Sequence, residues 1–125
     1  MLHIGHILLF KHIKERYPEG STLIVAVQDS DCILKYKPHT QMVYNTEERL
    51  FMVGSLKYVD EVVVYRDVDV DIQRINFDVF VKGPDQNHEG FIRAIDWCER
   101  NGKQVVTLPR TEGISSSLLK HYSPL

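Results

Sequence analysis

Cysteine is scarce in this chain: Cys32 and Cys98 are the two present, and no paired spacing relates them. That argues against a disulfide framework or a paired-cysteine metal site and makes a reducing cytoplasm the expected home. No apolar run approaches the roughly 20 residues that span a bilayer, so no membrane is expected. The apolar stretch at 7–10 is too short for a secretory leader, and Lys11 and Lys14 interrupt it. Nor does one sign of charge dominate. A net charge of −2 gives no general basic field, so nucleic acid is not an expected partner. Repeats, linkers and low-complexity stretches are lacking too. What remains is 125 residues, 43% apolar and 26% charged, enough for a single domain (1–125) with a real core.

Against that plain background one string stands out, His3-Ile4-Gly5-His6. Two histidines three apart fall on one face of a helix, and both can address one ligand. A helix start offers free N–H groups and positive dipole, which suits phosphate. Gly5 has no Cβ to hold a phosphate away. On these four residues alone, two ordinary histidines at a helix start remain an open alternative. Zinc would need further ligands; His12, His39, His88 and His121 stand at no recognised ligand spacing.

A second string lies near the other end, Arg110-Thr111-Glu112-Gly113-Ile114-Ser115-Ser116-Ser117. A short strand at 104–108 ends at Pro109, a polar turn with Gly113 follows, and a Ser-rich helix start completes the run. Strand, turn and helix N-terminus in that order can cradle phosphate, and Arg110 adds a fixed two-pronged cation. A plain connection with a capping serine is the simpler reading when the run is taken by itself.

Between the two strings, strand-like and helix-like stretches alternate, which predicts a doubly wound α/β fold with a parallel sheet. Strands are expected at 22–27, 61–65, 77–81 and 104–108, and helices at 4–16, 46–56, 88–101 and 114–122. Asn45 with Glu48 forms a capping-box-like helix start, and Gly102 a helix stop. Asp67-Val68-Asp69-Val70-Asp71 opens like a calcium loop, but Ile72 stands where that loop needs glycine, so it is read as a solvated connector. Phe91 and Trp97, on a helix with Ile92 and Ile95, are read as core, and the stretch holding Lys35 and Lys37 as a loop.

Taken together, the two strings resemble the cytidylyltransferase family of nucleotidyltransferases, and within it most of all the members that act on glycerol 3-phosphate. The likeness continues in order along the chain. Lys35-Tyr36-Lys37 matches a Lys-x-Lys pair, Thr46-Glu47-Glu48-Arg49 an acidic-then-Arg helix start, and Phe80-Val81-Lys82-Gly83-Pro84-Asp85 a strand-end turn that seats the nucleotide. Lys57-Tyr58-Val59-Asp60-Glu61-Val62 matches a segment that usually begins with Arg; here the charge is kept and the planar fork is lost. The first string also occurs in class I aminoacyl-tRNA synthetases, but their Lys-Met-Ser-Lys-Ser element is not found here.

The resemblance implies transfer of a cytidylyl group from CTP to a small phosphorylated alcohol. It assigns His3, His6, Lys35 and Arg110 to catalysis, Gly5, Asp85, Thr111, Ser115 and Ser116 to the nucleotide, and Lys35, Lys37 and Lys57 to the acceptor phosphate. It further implies Mg2+ carried mainly by the nucleotide phosphates, with no dedicated protein ligands, and a homodimer. The Arg-Thr-Glu-Gly-Ile-Ser form is nearer to CTP users, whereas the Lys-Gly-Pro-Asp turn is shared with ATP users. An adenylyltransferase of similar fold, of FAD synthetase or heptose-phosphate type, and a non-catalytic nucleotide-binding remnant therefore stay open.

One departure is larger. The family's Gly-x-Phe-Asp run and the strand before it precede the first histidine, where here only Met1-Leu2 stand. By resemblance that strand lies mid-sheet, and each fully buried Val, Leu or Ile on it contributes about 1.5–3 kcal/mol. Against a typical total of about 5–15 kcal/mol its loss is severe. The expectation is that Met1 is not the natural start and that upstream codons encode this strand.

Overall fold

The computed structural model describes residues 2, 4–17, 20–36, 38, 39, 44–83 and 88–108. The chain divides into two compact units, Met1–Val64 with Thr111–Leu125, and Tyr65–Arg110. The predicted helix 114–122 lies outside the described residues.

In the first unit, α1 (Ile4–Arg16) runs over the predicted span and buries Phe10 and Ile13, three apart on one face. Lys14 and Arg16 sit in its last turn, where cations complement the dipole. β1 (Ile24–Gln28) follows, then α2 (Ser30–Tyr36), then α3 (Thr46–Gly54) and β2 (Glu61–Tyr65). β1 and β2 are hydrogen-bonded neighbours. Phe10, Val27, Val53 and Val59 form the buried core, with Leu50 and Tyr58 among those packed against it. The capping box at α3 is formed in full: Asn45 Oδ1 accepts from Glu48 N at 2.8 Å, and Glu48 Oε1 accepts from Asn45 N at 3.0 Å.

α2 corrects the sequence reading, which made Lys35 part of a loop. Seven residues are too few to show a helical period, and a helix so short is not stable by itself. Asp29 caps it, with Oδ1 accepting from Asp31 N at 2.9 Å, and contacts from α3, described below, add to this.

In the second unit come α4 (Val68–Asp71), a 3₁₀ turn (Ile72–Arg74), β3 (Val79–Lys82), α5 (Glu89–Arg100) and β4 (Gln104–Thr107). β3 and β4 pair in parallel, from Val79 opposite Gln104 to Lys82 opposite Thr107. Ile72, Ala94 and Cys98 are the buried centre, ringed by Phe77, Phe80 and Trp97. The rings of Phe77 and Trp97 lie 6.3 Å apart, and those of Phe80 and Phe91 stack at 6.5 Å. Burial pushes the Cys98 thiol above its ordinary pKa.

α5 ends as predicted. Gly102 takes φ +70, Lys103 N donates to Cys98 O at 2.8 Å, and Gly102 N donates to Glu99 O at 3.5 Å, a Schellman stop. Ile92, on the same helix, is 59% exposed, because it lies away from the face of Phe91, Ala94 and Cys98. One reading needs correction here. The acidic run is a short helix and not a solvated connector. Asp71 Oδ2 accepts from Arg66 N at 2.7 Å, and Asp69 Oδ2 from Arg93 Nε at 2.7 Å. Among the described residues the strands form two ladders, β1 with β2 and β3 with β4.

Candidate active site

α1 begins at Ile4, so Gly5 and His6 stand in its first turn, both half-buried. The first turn of the helix contributes no acidic residue of its own. The burial of Phe10 and Ile13 further along fixes how the helix is rotated. His3 lies outside the described residues.

Lys35 is exposed in the last turn of α2. The start of that helix is gripped from α3. Ser30 N donates to Thr46 Oγ1 at 2.9 Å, and the Thr46 hydroxyl donates to Ser30 Oγ at 2.9 Å. Arg49 Nη2 donates to Ser30 Oγ at 3.1 Å and also to the carbonyl of Gln28, the last residue of β1. The carboxyl end of β1, the start of α2 and the first turn of α3 therefore meet in one polar cluster. Lys37 lies outside the described residues.

Lys57 sits exposed in the turn before β2, its Nζ 5.0 Å from the Tyr58 ring centroid. The rest of its motif is structural. Val59 is buried in the core, and Asp60 is a latch: its Oδ2 accepts from Leu23 N at 2.7 Å and from Lys14 Nζ at 2.8 Å. Lys14 Nζ also donates to Ser21 O at 2.8 Å, and Leu23 O accepts from Asp60 N at 3.0 Å. The Leu23 N–H and then Lys14 hold the Asp60 carboxyl below its ordinary pKa.

In the second unit, two motif segments leave one end of one ladder. β3 runs into Lys82-Gly83 and β4 into Leu108, with Lys82 opposite Thr107 and Leu108 N donating to Lys82 O at 3.0 Å. The carboxyl end of parallel strands is where open α/β sheets bind ligands. Asp85, Arg110, Thr111, Ser115 and Ser116, which follow these ends in sequence, lie outside the described residues. A groove on α3 lined by Tyr44, Glu47, Glu48, Phe51 and Met52 holds none of the predicted site residues.

Sequence reasoning matched Thr46–Arg49 to a motif but gave Thr46, Arg49 and Ser30 no task. The signal was available: a Ser just past a predicted strand, and a Thr-x-x-Arg at the start of a capped helix.

The family description "Cytidylyltransferase-like" matches residues 1–122. The chain belongs to the cytidylyltransferase-like family. Two relatives named glycerol-3-phosphate cytidylyltransferase bear this out. That of Staphylococcus aureus is 35% identical over 123 residues, 96% of this chain and 85% of its own. That of Bacillus subtilis is 36% identical over 124 residues, 96% of this chain and 87% of its own. The bifunctional protein HldE of Gluconobacter oxydans is 30% identical over 121 residues, 95% of this chain but 24% of that protein. A crystal structure of the lipopolysaccharide core biosynthesis protein from Thermoplasma volcanium shares the fold, with TM-score 0.66 at 21% identity, covering 89% of this chain and 88% of that one. The protein is thus a nucleotidyltransferase of the α/β, Rossmann-like class.

Proposed function

We propose that the protein transfers a cytidylyl group from CTP to a small phosphorylated alcohol, with glycerol 3-phosphate the leading acceptor, and yields a CDP-alcohol and pyrophosphate. The observation that carries this reading is identity of 35–36% with two proteins of that name, over 96% of this chain. An acceptor phosphate oxygen bonds to the α-phosphorus of CTP in line with the leaving group. The α–β bridging bond breaks, and its electron pair leaves with pyrophosphate.

In this reading His6, with His3, donates hydrogen bonds to the CTP phosphates and to the charge that builds in the transition state. Gly5 lets a phosphate approach the helix start. Lys35, with Lys37 and Lys57, holds the acceptor phosphate and offsets the repulsion between two anions. Arg110, Thr111, Ser115 and Ser116 hold the triphosphate, and Asp85 stands by the nucleotide. Mg2+ would be carried mainly on the triphosphate, where the ion neutralises charge. The reading includes a homodimer and a cytoplasmic home; among the described residues no helix is long and apolar enough to cross a membrane.

The second reading is an ATP-dependent adenylyltransferase of similar fold, favoured by the likeness to bifunctional HldE proteins. Pyrophosphate release with glycerol 3-phosphate and either nucleotide separates the two. Release with CTP, lowered about 10²–10³-fold in His6→Ala, is the expected result. Release with ATP alone moves the assignment to the second reading.

A further inference from the structure

α2 carries Lys35 but cannot hold its own direction, because seven residues give too few internal hydrogen bonds. Asp29 caps it locally through Asp31 N and Cys32 is buried, while a tie from α3 reaches its first residue. The Thr46 hydroxyl and Ser30 exchange a reciprocal pair of bonds: Ser30 N donates to Thr46 Oγ1 and Thr46 Oγ1 donates to Ser30 Oγ, each at 2.9 Å. Arg49, one turn further along α3, donates to the same Ser30 Oγ at 3.1 Å. Thr46 is the first residue of α3 and follows directly on Asn45, whose capping box fixes that helix start. The frame of α3 is in this way handed to α2. Lys35 lies five residues beyond Ser30, about 7.5 Å along the axis, so a tilt of about 15° moves its Cα by about 2 Å. A displacement of that size breaks a hydrogen bond between a lysine and a phosphate oxygen, which weakens acceptor binding.

We propose that Thr46 is a positioning residue for acceptor binding: through Ser30 it holds α2 so that Lys35 meets the acceptor phosphate. This inference rests on the role given to Lys35 above.

Thr46→Val keeps the branched shape and removes both hydroxyl bonds. With CTP, Mg2+ and glycerol 3-phosphate as probe, it raises the acceptor KM by about tenfold, and changes kcat and the CTP KM by less than about twofold. Thr46→Ser restores the acceptor KM. In a Lys35→Ala background Thr46→Val has no further effect, because both changes act on one contact. Independent, multiplying effects of the two substitutions, or an equal loss in both substrates, overturn the proposal. If Thr46→Val fails to fold, Ser30→Ala removes the hydroxyl-to-hydroxyl bond from the other side and takes its place. Amide exchange keeps this failure apart from that of the functional reading. If the wild-type chain releases no pyrophosphate, the reaction assignment falls. The Thr46–Ser30 tie is then decided by exchange at 30–36, which must quicken in Thr46→Val while α1 and the rest of α3 stay unchanged; uniform or unchanged exchange overturns it.

Discussion

The two units are held together differently. In the second, packing is complete at the centre: Ala94 and Cys98 are 0% exposed, aromatic rings pack around them, and α5 ends in a full backbone stop. In the first, the least exposed apolar residue described, Cys32, is 4% exposed, and the element ends are tied by side chains. Lys14, Asp60 and Leu23 join α1 to both strands, while Ser30, Thr46 and Arg49 join β1, α2 and α3. All candidate site residues that are described, Gly5, His6, Lys35 and Lys57, belong to this first unit. A packed centre resists local opening, whereas polar ties at element ends set direction and yield more readily. The lesson is that Lys35 is placed with the help of hydrogen bonds between element ends, whereas Gly5 and His6 are set by the burial of Phe10 and Ile13 on the same helix.

Three substitutions test that contrast. The largest effect is expected from Phe91→Ala, which empties a site packed against Phe80 and His88. It should cost about 3–5 kcal/mol, read as a lower denaturant midpoint at unchanged slope. A loss below about 1 kcal/mol would mean that the second unit is not held by packing. Next is Gly102→Ala, which puts a Cβ at φ +70 and should cost about 1–2 kcal/mol in the same titration. No change there would mean that the α5 stop contributes little.

The smallest is Asp60→Asn. Its partners are part-exposed, so the loss should be about 1 kcal/mol or less, discounted for solvent screening. Its pH dependence is more telling than its size. The folded pKa of Asp60 is depressed, first by the Leu23 N–H and then by Lys14. Its contribution is therefore present above the ordinary unfolded value of about 3.9 and is lost as pH falls through the lower folded value. The wild-type and Asp60→Asn midpoints should differ at pH 7 and converge as the solution is acidified below about pH 4. A gap that persists unchanged into acid would remove the latch from the account.

Much of the fold was readable wherever a local rule acts alone. The apolar spacing of Phe10 and Ile13 gave α1 its full span, the Val-rich run gave β2, Asn45 with Glu48 gave the start of α3, and Gly102 gave the end of α5. Failures came where distant residues decide. α2 starts on a local Asp29 cap, but a helix of seven residues shows no period, and its tie to α3 through Ser30 spans 16 and 19 positions. The acidic run is helical because Asp69 meets Arg93, 24 positions on. Site residues were legible as strings, His3 to His6 and Arg110 to Ser117, because phosphate-binding chemistry uses short contiguous turns. Thr46 and Ser30 were given no task because each part of their signal is weak by itself and the two lie 16 positions apart.

The measurement that bears most directly on the central claim is thermal unfolding of wild type and His6→Ala, with Mg2+ and either CTP or ATP. At a hundred times its dissociation constant a ligand adds about 2.7 kcal/mol to stability. The account predicts a raised midpoint for wild type with CTP, a much smaller rise for His6→Ala, and little with ATP. Equal shifts in both proteins, or a shift with ATP and none with CTP, would contradict it.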